Sequence, residues 1–163
     1  MNIFIETSVV NNILDLDEKP QDPFGKSQMV CLGQILERFS KGTISLIVNP
    51  SVLLQIKGTK DEERKNALLL VFNRFNFHDF TAFVFPLTFP LHFLTKEQYS
   101  EIDQICKEHP GLKKDRKIIA DAGFNDKLDV LLTTDKDLAH QVRQVGKVKF
   151  MLPCELLATL EEH

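Results

Sequence analysis

Ile3-Phe4-Ile5-Glu6-Thr7-Ser8-Val9-Val10, near the start of the chain, decides how the rest is read. Three consecutive apolar residues suit a short strand buried in a parallel sheet, and the run stops at an acid. Val9, Val10, Ile13 and Leu14 then recur at helical spacing, which predicts a helix over Thr7 to Leu14. The same grammar returns far along the chain. Val130-Leu131-Leu132-Thr133-Thr134 is a second apolar run that ends in an acid, Asp135, and a helix is expected from Asp135 to Gln144.

Gln21-Asp22-Pro23-Phe24-Gly25 reads as a loop. A helix follows from about Lys26 to Ser40, with Met29, Leu32, Ile35, Leu36 and Phe39 on one stripe. Gly42 closes it as a left-handed residue. Thr43 to Val48 reads as a strand, and Asn49-Pro50-Ser51 opens the next helix with Asn49 as cap. Asp61 to Arg74 is a further helix, and Phe83-Val84-Phe85-Pro86 a strand ended by proline. Thr95 caps a helix to Glu108 that His109-Pro110-Gly111 terminates. Lys113 to Phe124 is the next helix, Val148 to Leu152 the last strand, and Pro153 starts a terminal helix. Helices alternating with short strands imply a mostly parallel sheet covered on both faces, a three-layer α/β/α fold. No repeat, low-complexity tract or compositional break divides residues 1–163, so one domain is expected.

The acids fall where such folds bind ligands, beyond the carboxyl ends of the strands. Glu6 and Asp135 each follow a strand. A third acid, Asp115, begins a helix whose positions Ile118, Ile119 and Ala122 form the face that packs on the sheet, so its carboxylate points inward, where an unpaired charge is costly. Each acid also has a plainer reading: Glu6 and Asp135 as helix N-caps, Asp115 as a first-turn acid favoured by the helix dipole. Asp121 lies about 240° around the helix from Asp115 and is expected in solvent. Asp137 reads either as a further ligand acting through water or as a capping acid. Taken together, Glu6, Asp115 and Asp135 need a cation to offset their repulsion. With no His or Cys at ligand spacing, a hard ion, Mg²⁺ or Mn²⁺, suits them better than zinc.

In this order the motifs resemble the PIN domain, the nuclease fold shared by VapC toxins and many RNA-processing enzymes. Ile3 through Val10 is similar to its first motif, a strand followed by an acid and Thr/Ser. Asn49-Pro50-Ser51-Val52-Leu53-Leu54-Gln55-Ile56 is similar to the second, Asp115 through Ala122 to the third, and Leu131 through Asp135 to the fourth. Lys149-Phe150-Met151-Leu152-Pro153 resembles the way PIN domains close. Two positions depart from the pattern: Glu6 stands where Asp is usual, and Gln55 where the family has Glu. The resemblance implies a Mg²⁺- or Mn²⁺-dependent endoribonuclease that hydrolyses RNA phosphodiesters. Glu6, Asp115 and Asp135 would hold metal and Asp137 would act through water. Thr7 and Thr134 would orient metal-bound waters, with capping and core packing as the alternative, and Gln55 would line the site. Lys113, Lys114, Arg116 and Lys117 would supply substrate contacts, and Lys57, Lys60, Arg64 and Lys65 form a second basic group. For a toxin of a toxin–antitoxin pair it further implies a homodimer and a small antitoxin partner. Gln55 opens the alternative of a PIN-fold RNA- or protein-binding module that has lost its chemistry.

Composition bounds these readings. Hydrophobic residues make up 43% of 163 residues, enough for a sizeable core, and the net charge of −3 confines any nucleic-acid footprint to a local patch. No run approaches the ~20 apolar residues of a membrane span, and no signal-peptide pattern leads the chain, so a cytoplasmic protein is expected. Cys31, Cys106 and Cys154 are far apart and odd in number, and read as buried free thiols. Eight of the thirteen phenylalanines lie between Phe72 and Phe93. They read as core or as an oligomer or partner contact, with base stacking as the alternative. Ser8 stands where a haloacid-dehalogenase phosphatase needs a second Asp, and receiver-domain spacing fits poorly. The GxGxxG and GxxxxGK[ST] phosphate loops are absent.

Overall fold

A computed structural model describes residues 1–16, 22–48, 50–76, 94–125 and 127–162, with the backbone alone for Pro50, Ser51 and Asn76. In chain order the elements are β1 (Asn2–Ile5), α1 (Thr7–Leu14), α2 (Pro23–Ser40), β2 (Ser45–Val48), α3 (Pro50–Lys57), α4 (Glu62–Asn76) and α5 (Lys96–Glu108). A 3₁₀ turn (Pro110–Asp115), α6 (Arg116–Gly123), β3 (Val130–Leu132), α7 (Lys136–Val142), β4 (Gln144–Val145), β5 (Val148–Met151) and α8 (Pro153–Glu161) follow. The strands form one sheet in the order β2-β1-β3-β5-β4, parallel except for the β4–β5 pair.

The apolar runs behave as a doubly covered sheet requires. Successive side chains along a strand point to opposite faces. Ile3, Ile5, Leu46, Val48, Val130 and Leu132 accordingly join one core cluster, which α1, α2, α4 and α8 complete with Val9, Leu32, Phe72 and Leu156. The alternate residues Phe4, Ile47, Leu131 and Phe150 join a second cluster with Ile118 and Ile119 of α6 and Leu138 of α7. In register, Ile5 of β1 sits beside Val48 of β2 and Leu132 of β3. Fully burying each such side chain contributes about 1.5–3 kcal/mol, so the two-faced pattern is the main thermodynamic reason for the sheet. The α/β class and the mostly parallel sheet are as the sequence predicts.

Several boundaries are corrected. Helix α2 starts at Pro23 rather than Lys26, because Asp22 caps it, its side chain accepting from Gly25 N–H at 2.7 Å, and proline fits the first turn. The segment expected as one helix from Lys113 begins as a 3₁₀ turn at Pro110 and becomes α-helical only at Arg116. Helix α7 ends at Val142, not Gln144: Arg143 adopts φ 55° and turns the chain into the antiparallel edge strand β4, which the sequence does not announce. Thr95 does cap α5, with a reciprocal Thr95–Gln98 box, and Gly42 is left-handed at φ 71°. The expected strand Phe83–Phe85 and the Asn49 cap lie outside the described residues.

Cysteine chemistry is also corrected. Cys31 on α2 and Cys154 on α8 are joined by a disulfide, Cα atoms 5.1 Å apart, and only Cys106 is a buried free thiol. The partners are 123 residues apart in sequence, so spacing gave no hint of the pairing. Among the described residues no helix is long and apolar enough to cross a membrane.

Candidate metal centre

Adjacency of β1 and β3 brings the two acid-terminated strands side by side, so Glu6 and Thr133 emerge next to each other. Glu6 is buried, 8% exposed, and is held by three donors. Its Oε2 accepts from Ser8 N–H at 3.1 Å; its Oε1 accepts from Thr133 Oγ1 at 2.8 Å and from the Ser8 hydroxyl. Behind Ser8 the donors continue in one direction. Asn12 Nδ2 donates to Thr134 Oγ1 at 2.6 Å, and Thr134 donates its hydroxyl to Ser8 at 2.8 Å. Burial pushes the Glu6 carboxyl up, the Ser8 and Thr133 donors pull it down, and the nearby Asp135 charge pushes it up again. The donors all point toward the carboxylate, but burial outweighs them and the carboxyl is held above its ordinary value.

Thr133 links this network to the next acid. Its hydroxyl also accepts from Asp135 N–H at 3.0 Å. Asp135 is the N-cap of α7, its Oδ1 accepting from Asp137 N–H at 2.9 Å and Leu138 N–H at 3.1 Å. The capping readings of Glu6 and Asp135 are therefore both realised, and capping fixes where these acids point rather than removing them from the edge of the sheet. Asp115 ends the 3₁₀ turn, half-buried, and forms no cap. Its Oδ2 is buried without a hydrogen-bond partner among the described residues. Burial raises its carboxyl, Lys114 opposes the rise and Asp135 adds to it.

Asp115, Asp135 and Asp137 line one cleft of about 240 Å³, together with His109, Lys114 and Gln141. Glu6 is not on that lining and reaches it through Thr133 and Asp135. Among the described residues no three of His, Cys, Asp and Glu are grouped closely enough to ligate a single ion. A hard cation would find at most a pair of carboxylates here; Mg²⁺ is commonly held by one or two and keeps water on its remaining positions. The orphaned Asp115 Oδ2 is the atom such an ion would satisfy. Asp115 and Asp135 are the residues that would hold it, with Asp137 at the rim and Glu6 behind.

The remaining expected residues divide. Thr7 donates its hydroxyl to Gln55 Oε1, so each occupies the other and the exposed Gln55 amide oxygen is already engaged. Thr134 is committed to Ser8. Of the four expected substrate cations, only Lys114 lines the cleft. Arg116 is tied to Asp103 at 2.6 Å and lies 4.7 Å over the Tyr99 ring. Lys113 and Lys117 are exposed outside the lining. In the second basic group Arg64 is bound to Asp15 and Asn11, and Lys65 to Glu62. Asp121, expected in solvent, is buried instead, because α6 is covered by α5 as well as by the sheet. Thr133 and Gln141 gave no sequence signal beyond core packing and a solvated helix face. His109-Pro110-Gly111 reads only as a helix stop.

Compared with known proteins, the chain gives no significant match to any family model, any curated protein or any solved structure.

Proposed function

We propose that this chain is a PIN-like, Mg²⁺- or Mn²⁺-dependent endoribonuclease whose site is the cleft of Asp115, Asp135 and Asp137, backed by Glu6. The observation that carries the reading is Asp115 Oδ2, buried and without a partner among the described residues, beside Asp135 in a cleft at the carboxyl edge of a parallel sheet. Such an atom is costly unless a cation or a proton satisfies it, and polar strain of this kind concentrates at functional sites. A bound divalent ion supplies charge neutralisation at phosphorus and a more acidic water. The chain's own contribution is to fix the Glu6 carboxylate through Ser8 and Thr133, to hold Asp135 by its own helix cap, and to present Lys114 to a phosphate. RNA is the partner this reading requires. A homodimer and an antitoxin would follow if the chain is a toxin, and the Phe-rich segment is a candidate contact for them.

A second reading rests on Gln55. Its amide oxygen is taken by Thr7, and it brings no charge where the resemblance expects a carboxylate, which favours a binding module without chemistry. Cleavage of a mixed labelled RNA pool by the native chain, Asp115→Asn and Gln55→Glu separates the two. Metal-dependent cleavage by the native chain that Asp115→Asn lowers at least about 100-fold supports the nuclease. Cleavage seen only in Gln55→Glu supports the lapsed enzyme, and silence from all three refutes both catalytic forms.

A further inference from the structure

His109 is fixed by its backbone: its N–H donates to Ile105 O and its carbonyl accepts from Leu112 N–H, both at 2.9 Å, so the ring is carried at the joint between α5 and the 3₁₀ turn. Gln141 lies one helical turn after Asp137 on α7, on the same face. Both line the cleft that holds Asp115, Asp135 and Asp137, and Lys114 lines it too. Among the described residues, none of the side chains of His109, Lys114 and Gln141 makes a hydrogen bond or an ion pair. The neighbouring Glu108 and Arg116 are, by contrast, engaged by Gln104 and Asp103. Among the described residues the cleft thus combines N–H donors that make no hydrogen bond and the carboxylates of Asp115, Asp135 and Asp137, with the Lys114 charge acting on Asp115. Donors left open beside acids suit a ligand that is anionic toward the donors and shares a cation with the acids. A phosphodiester has that character. At about 240 Å³ the cleft is smaller than the roughly 300–1,000 Å³ of drug-sized pockets, which fits a phosphate and its sugar rather than a run of bases.

We propose that His109 and Gln141 are substrate-binding residues which, with Lys114, hold the phosphate of single-stranded RNA in this cleft. The assignment rests on the nuclease reading for the identity of the ligand but not for the placement of the donors. Even neutral imidazole keeps one N–H donor, so the contact does not depend on the charge state of His109.

The test uses the full chain and a short fluorescently labelled single-stranded RNA. Anisotropy in Ca²⁺ gives Kd, and cleavage in Mn²⁺ gives KM and kcat, for the native chain, His109→Ala, Gln141→Ala and the double variant. The double variant should bind about tenfold more weakly and show a matching rise in KM, with kcat within about threefold of native. His109→Gln, which keeps an N–H donor, should recover most of the affinity. Thermal midpoints should be unchanged, since neither side chain makes a hydrogen bond among the described residues. Kd and KM within twofold of native in the double variant would overturn the assignment, as would a native chain that binds no RNA. If the native chain binds but does not cleave, the hydrolase reading alone fails, and the Kd comparison still decides the role of His109 and Gln141.

Discussion

Replacing Asp121 by Asn removes one titrating group from the interior while keeping its shape. The carboxylate is 7% exposed, its Oδ1 lacks a hydrogen-bond partner among the described residues, and burial raises it to about 6 despite the opposing Lys117 charge. Its ordinary value is 3.8, a difference of a little over two units, which at 1.36 kcal/mol per unit comes to about 3 kcal/mol. The folded chain holds the proton more tightly than the unfolded chain. The group therefore favours folding fully below its ordinary value, and that contribution is lost as pH rises through about 6, beyond which the fold carries a buried charge. Urea unfolding of the native chain and Asp121→Asn at a series of pH values isolates the effect, because contributions of the other acids cancel in the difference. Between about pH 4 and pH 8 the variant should gain about 2–3 kcal/mol on the native chain, nearly all of it below about pH 6. Stability curves that run parallel across this range would refute the burial of the Asp121 carboxylate.

Thr133→Val keeps the volume of a buried side chain but leaves Glu6 without one donor and Asp135 N–H without its acceptor; it should cost about 1–3 kcal/mol by urea denaturation and lower any metal-dependent cleavage. Gly123→Ala would place a Cβ 2.6 Å from Val145 Cβ, and closer still to Val145 Cγ1, where α6 meets the edge strand, so a loss of about 1–3 kcal/mol is expected despite the better helix propensity of Ala. Cys31→Ser, or reduction of the native chain, opens a loop of 123 residues and should lower stability by up to about 4–5 kcal/mol in the chain-entropy account; alkylation before and after reduction, read by peptide mass, checks that Cys31 and Cys154 are the pair.

The strand runs were legible because burial on both faces makes them uniformly apolar, and the acids were legible because each directly follows such a run. What failed was whatever depends on a second neighbour. Asp121 was placed in water by a one-stripe view of its helix, yet α6 is covered by both α5 and the sheet. Arg116 looked like a free cation until Asp103 and Tyr99, on the preceding helix, came to lie against it. The antiparallel β4 has two residues and no periodicity to detect. Of the cleft, the acids Asp115, Asp135 and Asp137 stand out by their place in the chain, whereas the bonding of Thr133 depends on which strand lies beside β1, and that order is written in no local pattern.

The Thr133 hydroxyl has one proton and serves two strands: the proton goes to Glu6 while a lone pair takes Asp135 N–H. Side-chain reach at position 6 and the hydroxyl at position 133 are thereby matched parts, like a tongue cut to one groove. Shortening the arm to the Asp that the resemblance makes usual would withdraw the carboxylate by a methylene from a donor whose position is set by another helix cap. Change at either residue is consequently coupled to the other.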